Sequence, residues 1–174
     1  ADASIKAKHA SRVKFEELRT VDAVDSDGSP VKIVVGRLGE VRFVDVNTGI
    51  VLSTHNIPYG SKLYASEDEL VEAGKIVATW DPFNAVIVTE VGGRVDFESV
   101  IENVTYKVET DESTGLKEIV ITESKDKNKI PTVHIVDEDG NILHTYNLPV
   151  GGHVVIDNKQ LLKAGDILVK IPRV

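Results

Sequence analysis

Five histidines, at 9, 55, 134, 144 and 153, and the run Asp25-Ser26-Asp27-Gly28 are the side chains of this chain best suited to hold a metal ion. His134 and His144 bracket a predicted hairpin and would be cross-strand neighbours, supplying two of the ligands that zinc requires. No third ligand recurs beside them, so two half-exposed strand histidines explain the pattern equally well. The aspartate run suggests a calcium loop, but its glycine falls at the fourth place and the twelfth place is Gly36 instead of a glutamate. An Asp-Gly turn is the expectation there. No Gly-x-Ser-x-Gly elbow, Walker loop or dinucleotide fingerprint occurs. Gly36-Arg37-Leu38-Gly39 and Val150-Gly151-Gly152 are too short to cradle phosphate and lack the lysine or following helix it needs. The residues thus predict no catalytic site, no cofactor-binding site and no metal site.

What remains is contact chemistry. Trp80, the one tryptophan, stands in Trp80-Asp81-Pro82-Phe83. Trp80 and Phe83 are the candidate protein-contact residues, because large aromatic rings dominate binding hot spots. Plugging the seam between the two copies is the competing role expected for Trp80. The acidic runs Glu67-Asp68-Glu69 and Asp137-Glu138-Asp139 would either meet a basic partner or form solvated loops.

Composition narrows the partners. The net charge is −8 over 174 residues, with no basic stripe to offset it, and aromatic residues make up 5%. Strong direct nucleic-acid binding is not expected, since phosphate backbones reward clustered Lys and Arg, and single strands reward stacked rings. Cysteine is absent, which removes disulfides, thiolate zinc sites and cysteine nucleophiles together. No apolar run approaches the roughly 20 residues that span a bilayer, so no membrane is expected. A chain that opens on Ala1 and contains no methionine reads as an excised or processed segment.

The elements that position these residues come in two copies. Asn56-Ile57-Pro58-Tyr59-Gly60 recurs as Asn147-Leu148-Pro149-Val150-Gly151, and ten of the 29 positions from Gly49 to Val77 are identical in the second copy. Upstream, Arg12–Glu16 aligns with Arg94–Glu98 at an offset of 82, and Lys32–Val35 with Glu118–Ile121 at 86. The drift falls across Gly-, Asp- and Ser-rich stretches, as loop insertions do. Extra residues are expected in the second copy around Glu109–Gly115 and Lys125–Lys129. Short runs rich in Val, Ile and Thr, including Val31–Val35, Glu40–Val46, Ala85–Val91 and Val133–Val136, are separated by turn residues, the pattern of an all-β fold. Little helix is expected: Ser66–Ala73 has the signal for one turn after a Ser66 cap, and Ala3–Ala10 that of a helix continued from outside the segment. The expected division is a junction segment over 1–10, a first module over 11–91 and a second over 92–174, meeting at Val91-Gly92-Gly93.

In both copies a strand enters, an apolar pair (Leu70-Val71, Leu161-Leu162) is buried, and Gly74 or Gly165 turns the chain into the next strand. This layout resembles barrel-sandwich hybrid domains, the family of biotinyl and lipoyl carriers. The position matching the carrier lysine is Pro82 in the first copy and Pro172-Arg173 in the second, and neither offers an amine to acylate. A longer series is more specific. Ile57-Pro58-Tyr59-Gly60, Gly74–Pro82, Ile87–Gly93, Thr110–Leu116 and Ile167–Arg173 resemble, in order, the lineage-specific insertion in the trigger loop of the bacterial DNA-directed RNA polymerase β′ subunit.

The resemblance implies two tandem barrel-sandwich hybrid modules, with Lys6–Ser11 at the junction with the trigger helix. It implies a non-catalytic part of a cytoplasmic polymerase that modulates trigger-loop movement, pausing and elongation. Its partners would be the α, β, ω and sigma subunits, reached through the parent β′. Magnesium and zinc would sit outside this segment, since the aspartate cluster that holds catalytic magnesium does not occur in it. Two rival expectations remain: a biotinyl- or lipoyl-type carrier, and a free-standing β-type binding module.

Overall fold

The computed structural model describes residues 2–174, and among them every regular element is a strand. The first nine are β1 (Ala3–Lys6), β2 (Ser11–Glu16), β3 (Thr20–Val24), β4 (Pro30–Val34), β5 (Glu40–Val44), β6 (Val51–Asn56), β7 (Lys62–Leu63), β8 (Leu70–Val71) and β9 (Ile76–Trp80). The next nine are β10 (Asn84–Val88), β11 (Gly93–Glu98), β12 (Tyr106–Thr110), β13 (Lys117–Ile121), β14 (Thr132–Val136), β15 (Ile142–Asn147), β16 (His153–Val154), β17 (Leu161–Leu162) and β18 (Ile167–Pro172). The second nine repeat the first. One five-stranded sheet runs β1-β9-β7-β4-β3 and another β10-β18-β16-β13-β12, while the four-stranded sheets run β6-β5-β2-β8 and β15-β14-β11-β17. All strand pairs in these sheets are antiparallel, consistent with two barrel-sandwich modules.

Each unit is closed around its own core. Val13, Val34, Val41, Phe43, Val77 and Ala78 draw on both sheets of the first unit, and Val95, Ile121, Val133, Ile135, Leu168 and Val169 on both sheets of the second. Alternation does the sorting: β5 reads half-buried, buried, half-buried, buried, half-buried, as a strand with one face on a core must. Each unit also begins and ends on neighbouring strands, since Ala3 pairs with Trp80 and Asn84 with Pro172.

Several expectations need correction. The compact units divide between Pro82 and Phe83, not after Val91. The reason is pairing: β10, expected to close the first module, pairs with β18 of the second, and residues 3–6, expected as part of a junction, form β1 of the first. Gly93 marks no linker, because a Cβ there would stand 2.6 Å from the Val136 carbonyl oxygen. Neither predicted helix forms. Ala3–Lys6 is strand, and Asp68 at φ 67° turns the chain out of helical geometry within Ser66–Ala73.

The repeat also registers differently between β4 and β13. Lys32 pairs with Leu63 and Ile119 with Val154, so Lys32 matches Ile119 at an offset of 87, not the 86 expected from the sequence. A one-residue slip exchanges the two faces of a strand. The true register places Val34 and Ile121, both buried, on equivalent sites. The second unit carries a further insertion: seven residues, 99–105, join β11 to β12 where three join β2 to β3. Thr105 ties that loop inside the fold, its hydroxyl oxygen accepting the Ile101 N–H at 2.8 Å and donating to the Ser99 carbonyl at 2.8 Å.

Candidate interaction surface

The sequence-predicted ligands are otherwise engaged. His134 pairs with Thr145 and His144 with Ile135, so the two histidines lie on opposite faces of their sheet and share no ion. His134 Nδ1 is 2.9 Å from the Thr145 hydroxyl and its Nε2 is 2.9 Å from Glu98. Among the described residues no three His, Asp or Glu side chains converge as a metal group would require. The Asp25 run is a turn: its backbone N–H donates to the Ser29 carbonyl at 2.8 Å, and Gly28 sits at φ 87°.

Four hairpins use this device, opening on Asp25, Asp45, Asp111 and Asp137 and closing through Gly28, Gly49, Gly115 and Gly140 at positive φ. Each aspartate is held below the ordinary value of 3.8. For Asp25 the main cause is Lys62, whose Nζ lies 2.6 Å away; for Asp45 it is the Thr48 N–H. The Ser113 hydroxyl lowers Asp111, and the Asn141 N–H lowers Asp137.

The acidic run Glu67-Asp68-Glu69 is spent on the fold. Glu67 accepts the Phe15 N–H at 3.0 Å, Glu69 accepts the Ser66 N–H at 3.1 Å, and Asp68 pairs with Lys14. The second unit repeats the design with other residues: Asn158 accepts the Phe97 N–H at 3.0 Å and Gln160 the Asp157 N–H at 2.9 Å. Its ion pair has the charges exchanged, with Asp96 where Lys14 stands and Lys159 where Asp68 stands, 3.0 Å apart. Asp68 and Lys159 are both left-handed, at φ 67° and 69°, and each offers its carbonyl to an arginine, Arg12 at 3.0 Å and Arg94 at 2.8 Å.

The two predicted contact residues differ in placement. Trp80 ends β9, half-buried and packed against the first core. Phe83 precedes β10 with 67% of its surface exposed, and its carbonyl accepts the Arg173 N–H at 2.8 Å. Pro82 and Pro172, which fall where a carrier lysine would stand, lie at the end of the first unit and the end of β18.

A larger surface went unread. Leu70 pairs with Arg12, Arg12 with Val44, and Val44 with Val51, making one row straight across the four-stranded sheet. The second unit repeats it as Leu161, Arg94, Val136 and Ile142. These rows face away from the cores. Leu70 is 62% exposed and Leu161 is 69% exposed, while their neighbours Val71 and Leu162 are buried. The expectation that both members of each apolar pair are buried was therefore half right, because adjacent strand residues point to opposite faces. That alternation was the signal available in the sequence. A register shift beside each row, between Phe43 and Val44 and between Ile135 and Val136, leaves Leu52 and Leu143 as extra exposed residues. Repeated exposed apolar residues on a rigid sheet are what a protein-contact face requires.

No family model matches the chain. It is 70% identical over 173 residues to the DNA-directed RNA polymerase subunit beta' of Phocaeicola vulgatus and 68% identical over 173 residues to that of Bacteroides thetaiotaomicron. Identity to the Flavobacterium johnsoniae subunit is 45% over 172 residues. In each comparison 99% of this chain is covered, and the chain spans 12% of the relative's length.

Proposed function

The chain is homologous along its length to one segment of DNA-directed RNA polymerase β′ subunits, and from that premise we propose that it is a non-catalytic insertion module whose contacts modulate trigger-loop movement, pausing and elongation. The observation that carries this reading is the match of 99% of the chain to 12% of those subunits, over a segment folded as one nine-stranded unit built twice. A module spliced into a moving loop travels with the loop, so any surface it touches in one loop state and not the other biases the equilibrium. A differential contact worth about 1.4 kcal/mol shifts that equilibrium tenfold.

The exposed rows through Leu70 and Leu161, with Trp80 and Phe83, are the contact candidates. The neighbouring surfaces belong to the polymerase and its α, β, ω and sigma subunits, in the cytoplasm, while magnesium and zinc are held elsewhere in the parent. Deleting the equivalent segment from the parent β′ subunit, then measuring pause lifetime and nucleotide-addition rate, tests the reading. Altered values of either are expected, and unchanged kinetics refute it.

A further inference from the structure

In each unit the edge strand of the five-stranded sheet comes alongside the edge strand of the four-stranded sheet without pairing to it: β1 beside β6, and β10 beside β15. The two units treat this seam differently. In the second, the Tyr146 hydroxyl accepts the Glu90 N–H at 2.8 Å. The Glu90 carboxylate lies 3.3 Å from His144 Nε2, and the imidazole stacks on the Tyr146 ring at 4.5 Å and 16°. The seam is shut by an acid and an aromatic ring of its own.

The repeat places Lys8 where Glu90 stands, His55 at Tyr146 and Ser53 at His144. None of these can rebuild that closure. Instead the first unit has an open groove of about 910 Å³, lined by Lys6, Lys8, Thr54, His55, Asn56 and Trp80 among others. The His55 ring is fixed edge-on to Phe43, with centroids 6.0 Å apart. Among the described residues, neither Lys6 nor Lys8 forms an ion pair, and the Lys8 N–H, equivalent to the donor that Tyr146 satisfies, has no partner.

We propose that this groove binds an acidic peptide segment of a partner, with a carboxylate held by Lys6 and Lys8 and an aromatic side chain laid against Trp80 and His55. The occupant supplies from outside the two groups that Glu90 and Tyr146 supply from within the second unit. Charge reversal at the matched position, lysine for glutamate, selects the sign of the ligand. Nucleic acid offers the same sign of charge but is the poorer fit, because the groove presents two lysines, enough for a carboxylate but not the run of cations that an extended phosphate backbone needs.

Trp80 is the sole tryptophan and lines the groove, so its emission reports occupancy directly. The 174-residue chain is titrated with an unlabelled octapeptide of alternating glutamate and tyrosine, with a lysine–tyrosine octapeptide and a ten-residue oligothymidylate as comparisons. The Glu–Tyr peptide is expected to shift Trp80 emission saturably. The exposed double variant Lys6→Glu/Lys8→Glu weakens it about tenfold or more, while Lys117→Glu/Lys163→Glu in the second unit changes it less than about twofold. An unmoved Trp80 emission, equal affinity in the Lys6/Lys8 variant, or tighter binding of the lysine–tyrosine peptide would overturn the proposal. Tighter binding of the oligothymidylate would also overturn it, in favour of a nucleic-acid groove.

Discussion

Leu161 and Leu162 are adjacent, chemically identical and both on β17, yet the first is 69% exposed and the second 6%. Truncating each to alanine separates core from surface at one point in the chain. Leu162 packs into the second core with Val95, Leu168 and Val169. Burying a leucine side chain contributes roughly 1.5–3 kcal/mol, and the cavity left behind raises the cost of Leu162→Ala to about 2–5 kcal/mol. Leu161→Ala removes only solvated surface and should stay within about 0.5 kcal/mol.

A domain of this size has roughly 5–14 kcal/mol of stability in total, so the Leu162 variant loses a large share of it. Native-state hydrogen exchange is the suitable assay, because it resolves the change by strand. Slow amides of β11, β14 and β18 should exchange about 30-fold faster or more in the Leu162 variant, since 1.36 kcal/mol corresponds to tenfold. Those of the Leu161 variant should match the parent. Equal losses in the two variants would refute the assignment of faces, and with it the proposal that the row through Leu161 serves contact instead of folding.

The exchanged ion pairs predict a rescue. Lys14→Asp or Asp68→Lys alone sets like charges together and should cost up to about 1 kcal/mol in urea unfolding, while Lys14→Asp/Asp68→Lys recreates the Asp96–Lys159 arrangement and should recover most of that loss. The four turn aspartates predict acid sensitivity. Their pKa values are lower folded than unfolded, so their stabilisation is fully present above the unfolded value near 3.8 and fades as pH falls through the folded values. Thermal midpoints should therefore fall below about pH 4, and Asp45→Asn should flatten that fall. Lys62 works in the opposite sense, its pKa raised by Asp25, so its contribution should persist to pH 10.5 and vanish only in stronger alkali.

The duplication and the all-β character were legible because they rest on residue type: Val, Ile and Thr runs, and glycines at 49, 60 and 74 that recur at 140, 151 and 165. Boundaries were not. Val91-Gly92-Gly93 looks like a joint because glycine usually marks one, whereas Gly93 is dictated by the Val136 carbonyl pressed against it from another strand. Ala3–Lys6 suits a helix when taken alone and is strand because of its partner, β9, which lies seventy or more residues away. The seam shut by Glu90, His144 and Tyr146 was invisible for the same reason. Three residues of unremarkable type acquire a joint role only when β10 and β15 are brought together.

Because Ala3 lies beside Trp80 and Asn84 beside Pro172, each unit enters and leaves its neighbourhood at nearly one point. Strands so paired sit about 5 Å apart, little more than one residue's reach. A segment with that property can be copied in tandem or excised in a single genetic event without displacing the chain on either side. Each unit is thus joined to the rest of the chain at one place, and the two can diverge independently, one closing its seam and the other leaving it open.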